Sequence, residues 1–269
     1  MLVVIKGAGD LATGIACRLF RCGFALVMTE TARPTTVRCT VAFSQAVYRG
    51  SAQVEDIPAR LAAASEEALA LTGRGFVAVL VDPSGTSVEA LRPDVVVDAV
   101  LAKRNLGTHL TDASCVVGVG PGFLPGRDCH AAVETQRGHD LGRVLWDRAP
   151  ASNTGVPGEI GGYTVERLLR APADGVFLPA ARIGDLVEAG QPVGYVEGTP
   201  MRAQISGVLR GLLPDGTPVH TGMKAGDIDP RCRREHCFSV SDKARAVGGG
   251  VLEAILTQYH RKEGGTYVR

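Results

Sequence analysis

The stretch LVVIKGAGDLATGIACRLFRCGFALVMTE, Leu2 to Glu30, decides the fold. Leu2–Lys6 is a short apolar strand. A glycine turn follows. From Leu11 to Arg21 the apolar residues Leu11, Ile15 and Leu19 fall at helical spacing, and Gly23 stops that helix. Phe24–Thr29 is a second strand. The turn Gly7-Ala8-Gly9-Asp10-Leu11-Ala12 has the form G-x-G-x-x-A. Gly7 permits a tight turn, Gly9 lets a pyrophosphate approach the backbone, and Ala12 lets the helix pack close to the strand. The unbonded amides at the helix start then face an anion. Glu30 ends the second strand 21 residues after Gly9, where an acid would hold a ribose hydroxyl. Arg33 and Arg38 leave room for a 2′-phosphate or another anion instead.

Working outward, FVAVLVDP (76–83), DVVVDAV (94–100) and SCVVGVGPGF (114–123) are apolar runs of buried-strand length. IPARLAAASEEALALTG (57–73) reads as an alanine-rich helix stopped at Gly73. The expected fold class is therefore α/β, with a Rossmann-like, mainly parallel sheet over residues 1–165. Polar residues gather at the carboxyl ends of its strands: Asp82, Asp98, Lys103, Arg104 and Asn105. Ligands of open α/β sheets bind along that edge.

Residues 166–230 repeat. Shifted by 32, Gly175 meets Gly207, Gly184 meets Gly216, Gly190 meets Gly222 and Gly194 meets Gly226; Val176 meets Val208, and Val187 meets Val219. Each copy is a strand, a glycine turn, a strand and a turn, too small to bury its own face. The expectation is a small all-β domain. It resembles the biotinyl/lipoyl type of barrel-sandwich hybrid over Ala171–Pro230. In that type a lysine sits on the hairpin between the repeats. Here the hairpin is VEGTPMRA, Pro200 stands in that place and Lys224 lies elsewhere, so no biotin or lipoate attachment is expected. Residues 231–269 read as a basic connector and a helix, striped by Val251, Ile255 and Leu256, that returns to the first domain. Cys232, His236 and Cys237 suggest zinc, but no fourth ligand is evident, and no metal is assigned.

The stretch DCHAAVETQRGHDLGRVLW, Asp128 to Trp146, has two readings. On a helix, His130 and Glu134 would share a face and could chelate a metal. On a strand they would lie ~13 Å apart, too far for one ion. Gly138 with His139-Asp140 looks like a turn and GRVLW like a return strand, which favours a hairpin. Its polar residues either satisfy one another or form a rim facing a ligand near Gly120-Pro121-Gly122. In the second case Cys129, His130, Glu134 and His139 are the candidate catalytic residues, with Cys129 as a nucleophile and His130 as a base. Arg137 would pair with a phosphate or carboxylate. The candidate cofactor-binding residues are Gly7, Gly9, Asp10, Leu11, Ala12, Glu30, Lys103, Arg104, Gly120, Gly122 and Arg137.

Composition excludes other classes. A net charge of +1 and 5% aromatic residues argue against nucleic acid or an anionic membrane as partner. No apolar run is long enough to span a bilayer. The opening MLVVIKGAGD, broken by Lys6 and Asp10, is not a signal peptide. Seven scattered cysteines suit reduced thiols in a cytoplasm.

The segments GAGDLATG, MTE, VAFSQAVY, LAKRN, GPGF, DCHAAVETQRGH, RAPADGVF, GVLRGLL, GDIDPR and DKARAVGGGVLEAIL occur in that order. In this the chain resembles the YqeB-type proteins of the selenium-dependent molybdenum hydroxylase system. The first domain and final helix are more loosely similar to xanthine dehydrogenase accessory proteins of the XdhC type. The resemblance implies an accessory or maturation role. The implied ligand is a nucleotide (NAD-like) or molybdopterin-type cofactor. The implied partners are molybdenum hydroxylase subunits or cofactor-handling proteins, with homo-oligomerisation left open. The glycine fingerprint with Glu30 also admits an NAD-dependent oxidoreductase with His130 as acid/base. The repeat domain admits a non-catalytic scaffold.

Overall fold

A computed structural model describes residues 1–262. The chain divides into two compact units. Unit 1 comprises Met1–Pro34, Phe43–Thr154 and the chain from Val240 onward; unit 2 comprises Thr35–Ala42 and Gly155–Ser239. The partition expected from sequence, 1–165, 166–230 and 231–269, differs at each boundary. Unit 2 begins at Gly155, keeps residues 231–239, and takes in the excursion Thr35–Ala42. Packing explains that excursion: the Leu212 amide donates to the Val37 carbonyl at 2.8 Å, and Val37 lies against Gly211.

Unit 1 is mixed α/β. Its elements run β1 (Leu2–Lys6), α1 (Asp10–Arg21), β2 (Ala25–Glu30), α2 (Gln45–Arg49), β3 (Ser51–Val54), β4 (Ile57–Ala62), α3 (Ser65–Gly73), β5 (Val77–Val81), α4 (Ser87–Leu91), β6 (Val95–Asp98), β7 (Cys115–Val119), β8 (Ala131–Val133) and β9 (Val144–Leu145). Among the described residues they form a nine-stranded sheet of order β3-β4-β5-β2-β1-β6-β7-β8-β9. From β4 to β8 it is parallel; β3 and β9 add antiparallel edges. Strand order reverses between β1 and β6. The central strands are valine-rich and buried throughout, because helices cover both faces of a parallel sheet. On one face Val4, Val27 and Val96 pack with Ala68 and Leu71 of α3 and Val88 of α4.

The segment 57–73 is not one helix. Ile57–Ala62 is β4, paired with both β3 and β5, and the helix starts only at Ser65. Alternation decides it: Ile57 and Ala59 are buried while Arg60 faces outward.

The last helix, α5 (Asp242–Lys262), comes back to pack on α1. Small residues make the close approach. A Cβ on Gly14 would stand 2.5 Å from the Ala244 Cβ, and one on Gly248 would stand 3.1 Å from the Gly14 carbonyl oxygen. Val251 and Ile255 are buried as the stripe requires, but Leu256 is 56% exposed and lies off it.

Unit 2 holds β10 (Leu168–Arg170), β11 (Gly175–Pro179), β12 (Leu186–Val187), β13 (Pro192–Val196), β14 (Thr199–Arg202), β15 (Gly207–Leu212), β16 (Thr217–Val219) and β17 (Lys224–Asp229). They form two four-stranded sheets, β10-β17-β15-β12 and β14-β13-β11-β16. The repeat is written into the pairing. Leu186 and Val187 pair with Val208 and Gly207; their equivalents Pro218 and Val219 pair with Val176 and Gly175. Each copy thus lends its middle strand to the other copy's sheet. Neither copy can bury its face alone, and Phe177, Val193, Val196, Leu209 and Ile228 share one core. The β13–β14 hairpin turns on Glu197 and Gly198, both at positive φ, and Lys224 opens β17.

Unit 2 also buries charge. The Arg167 guanidinium donates to both Asp227 oxygens at 3.1 and 3.3 Å, and to the Ile228 and Gly158 carbonyls. Asp229, fully buried, accepts from Arg231 at 2.9 and 2.6 Å. Burial alone would raise the Asp229 carboxyl, but hydrogen bonds and charge from Arg231, aided by Arg210, hold it down at about 2.

Two predictions follow from this packing. Gly249→Ala, in the α5 interior with nothing within 4 Å of an added Cβ, raises stability by about 0.5–1 kcal/mol. Gly14→Val lowers it, because the new side chain meets Ala244; urea midpoints separate the two. Asp229 ionises more easily folded than unfolded, so its contribution is complete above the ordinary 3.8 and is lost as pH falls towards about 2. That loss is on the order of 2 kcal/mol. Unfolding of wild type and Asp229→Asn through this window is the check: the variant's acid limb is shallower.

Candidate functional site

At the end of β1 the chain turns at Gly7, whose φ is +93° and whose amide donates to the Thr29 carbonyl at 2.9 Å. A Cβ at Gly7 would lie 2.9 Å from the Ala99 carbonyl oxygen and 3.2 Å from the Val100 Cα, so only glycine fits. α1 starts at Asp10 with Gly9 as an extended N-cap, and no side chain caps it. Its first internal bond runs from the Thr13 amide to the Gly9 carbonyl at 2.8 Å. The amides of Leu11 and Ala12 therefore have no partner within the helix. The turn is braced from behind: Thr13 Oγ1 donates to the Ala8 carbonyl and accepts from the Phe43 amide, and the Ser44 amide also reaches the Ala8 carbonyl.

Glu30 closes β2 with its carboxylate against this turn. It accepts from the Ala8 amide at 3.0 Å and from the Thr31 amide at 2.8 Å. The acid and the glycine turn are thus one hydrogen-bonded unit.

Across the reversal of strand order stands a polar group whose pairing the sequence does not reveal. Lys6 Nζ donates to Thr108 Oγ1 at 2.9 Å and pairs with Asp112 at 3.2 Å. Thr108 Oγ1 donates to the buried Asp98 at 2.6 Å, and Asn105 ties its own loop to Thr108. In the loop after β6, Leu101 and Lys103 hold φ of +61° and +64°. Left-handed backbone outside glycine is costly and gathers at functional sites. Gly122 fits against the Arg104 backbone, where a Cβ would lie 2.6 Å from the Arg104 Cα, and Gly120 against Thr135 Oγ1. The fingerprint turn, Glu30, the 101–108 loop and the Gly120–Gly122 turn thus line the carboxyl edge of the sheet. Asp82, at the end of β5, is spent locally on Ser84, Thr86 and Ser87.

The stretch 128–146 is a hairpin, β8 with β9, with Ala132 opposite Leu145. Its polar residues do not converge. Cys129 and His130 precede β8, level with Val116 on β7, while Glu134 follows β8 at the opposite edge. β8 and its flanks separate them by about 3.3 Å per residue. Cys129 is fully buried, and burial pushes its thiol up to about 11; it is a core residue rather than a nucleophile. His130 Nδ1 accepts from the Val116 amide at 2.9 Å, and burial lowers its pKa. The imidazole is neutral with Nδ1 already engaged, so the basic lone pair is spent on the sheet. Glu134 is buried and accepts three backbone amides, from Thr135, Gln136 and Ala151, each at 2.7 Å. That is an anchor for the loop and not a proton donor to a ligand. Arg137 grips Asp242 at the start of α5 with two bonds, 2.8 and 3.0 Å, in place of a ligand anion. His139 lies exposed in the turn.

Among the described residues no group of three or more His, Cys, Asp or Glu side chains could hold a metal ion, and no helix is long and apolar enough to cross a membrane. Cys237 is buried with its thiol on the Leu209 carbonyl, while Cys232 is exposed.

No protein-family profile matches the chain. It is 50% identical over 260 residues to the uncharacterized protein YqeB of Escherichia coli (strain K12), a match that takes in 97% of the chain and 48% of that protein. The chain is YqeB-like. It spans about half the length of the curated relative it matches. Solved structures with some likeness include an aspartoacylase family protein from Mesorhizobium loti, at 13% identity and a TM-score of 0.29 over 86% of each chain. The ectoine utilization protein EutE (DoeB) from Ruegeria pomeroyi follows, at 13% and 0.26 over 84% of each. Likeness at these scores carries no argument about chemistry.

Two measurements report on these buried groups. Alkylation of the native protein followed by mass spectrometry marks the exposed Cys22 and Cys232. It spares Cys17, Cys115 and Cys129, whose buried thiols are raised to about 12, 12 and 11. Glu134→Gln turns an acceptor of three amides into a partial donor. It costs about 2 kcal/mol or more of stability, read from urea unfolding; an unchanged midpoint removes the anchoring role.

Proposed function

We propose that the chain binds an anionic cofactor, a nucleotide or a molybdopterin-type molecule, at the Gly7–Ala12 turn. We take it to serve as an accessory or maturation protein of a selenium-dependent molybdenum hydroxylase system. One observation carries the binding half: the α1 amino terminus has no side-chain cap and lies where strand order reverses, at the carboxyl edge of the sheet. Uncapped amides and the helix dipole favour an anion there, and α/β sheets place ligands at such a reversal. This is also what supports a Rossmann-like reading of unit 1. Glu30, held beside the turn by the Ala8 amide, supports a reading in which its carboxylate meets a ribose hydroxyl. The cellular half rests on the YqeB-type resemblance, together with the YqeB name of a relative twice as long.

The residues of the hairpin weigh against the oxidoreductase alternative. His130, its intended acid/base, has Nδ1 bonded to the Val116 amide at the far edge of the sheet. A binding and delivery role asks for no such base. For unit 2 the interleaved repeats support a barrel-sandwich hybrid acting as a docking module, its β13–β14 hairpin turning on Glu197 and Gly198 and carrying Pro200 where a carrier's lysine would stand.

Thermal denaturation in the presence of NAD, ATP, GTP and molybdopterin tests this directly. At least one raises the melting temperature in proportion to the logarithm of its concentration. Gly9→Asp supplies the missing cap, so the unliganded protein holds or gains only a few tenths of a kcal/mol while the ligand shift disappears. Asp10→Asn removes a carboxylate from the first turn and tightens binding several-fold. A flat response of the wild type to every ligand sinks the proposal.

A further inference from the structure

The motif GDIDPR, Gly226 to Arg231, carries two buried carboxylates, and unit 2 treats them differently. Arg167 satisfies Asp227 through Nη2, which reaches both carboxylate oxygens, while its Nε and Nη1 donate to the Ile228 and Gly158 carbonyls. Asp229 is claimed by Arg231, through both guanidinium bonds and the backbone amide. What remains for Arg210 is a single contact to Asp229 at 3.6 Å, too long for a hydrogen bond. Yet the Arg210 side chain is only 8% exposed, and its Nε is sealed from solvent without a hydrogen-bond partner. A guanidinium offers five donors and is costly to bury unless they are used.

Its placement is equally particular. The β15–β17 ladder shifts register between Leu209 and Gly211, so Arg210 is the bulged residue. Bulges re-aim a side chain. The turn Arg234–Cys237 packs on β15, with the Cys237 thiol on the Leu209 carbonyl. In that turn His236 Nδ1 is likewise buried and without a partner. The His236 carbonyl accepts from Arg38 at 3.0 Å, bringing a second guanidinium to the same place. Burial raises the Cys237 thiol, while positive charge from Arg38, Arg210 and Arg234 pulls the other way. Arg231 and Arg234 beside them are exposed and His236 is half-buried.

We infer that unit 2 carries a small-oxyanion site at the β15 bulge, taking a phosphate-type group on the Arg210 guanidinium, with His236 Nδ1 beside it and Arg38 and Arg234 as flanking charge. A tetrahedral oxyanion accepts several guanidinium N–H bonds at once, which the shared Asp229 cannot do. The site is independent of the α1 turn. Its chemistry suits free phosphate or sulfate, and equally the phosphate of a larger metabolite.

The test is titration of the full-length chain with inorganic phosphate by calorimetry at constant ionic strength, with sulfate and adenosine monophosphate as further arms. Wild type and Gly9→Asp bind phosphate alike, Arg210→Met weakens binding at least tenfold, and Arg210→Lys, which keeps charge without the fork, falls between them. Binding of adenosine monophosphate with the same dependence on Arg210 assigns the site to phosphomonoesters; binding of the inorganic ions alone assigns it to free oxyanions. Absence of binding, or undiminished binding in Arg210→Met, overturns the inference. So does loss of binding in Gly9→Asp, which would put the anion on α1. Should Arg210→Met not fold, wild-type affinity in a folded Arg210→Lys overturns it as well.

Discussion

Unit 1 is organised around the contact between the end of β1 and the end of β6. Lys6 and Asp98 are register partners, and directly beyond them Gly7 passes so close to Ala99 and Val100 that no side chain fits. The left-handed turn this permits starts α1 at the one place in the sheet where strand order reverses. A Cβ at residue 7 would push the two strand ends apart. It would also separate the Lys6–Thr108–Asp98 group and move the α1 terminus from the edge where a ligand can lie. The packing of α1 on α5, close at Gly14 about one turn into the helix, secures the same arrangement. It is close because Gly14, Ala244 and Gly248 have little or nothing to interpose.

Unit 2 meets a different constraint. Each copy of its repeat is too short to bury a face, so the copies exchange middle strands and share one core. That interleaving brings arginines and aspartates from distant parts of the chain inside. Buried charges are tolerable only when paired and hydrogen-bonded. Asp227 and Asp229 meet the condition; Arg210, displaced by the bulge and left one long contact, does not meet it with protein groups. The same interior that makes unit 2 sensitive to acid through Asp229 thus leaves one guanidinium ready for an external partner.

The hairpin from Asp128 to Trp146 shows how rich chemistry can serve architecture. A cysteine, two histidines, a glutamate and an arginine look like a reaction centre in one dimension. Folded, the thiol is core, the imidazole Nδ1 holds a strand, the glutamate collects three amides, and the arginine pins α5. The residues that do assemble at the edge, Lys6, Thr108 and Asp112, are scattered through the sequence and carry no motif.

The sequence by itself determined the local pieces: the strand–turn–helix–strand of residues 2–30, the valine strands of a covered parallel sheet, and the 32-residue repeat. In each, neighbouring residues set the outcome, through periodicity, a glycine the backbone needs, or apolar runs of strand length. Tertiary structure alone decided what depends on distant partners. It made 57–62 a strand, because β3 and β5 offer hydrogen bonds a helix would forgo. It lent Thr35–Ala42 to unit 2, through Val37 against β15. It also assigned each polar side chain its partner, since burial and hydrogen bonding are properties of where the chain returns, not of the order in which its residues are strung.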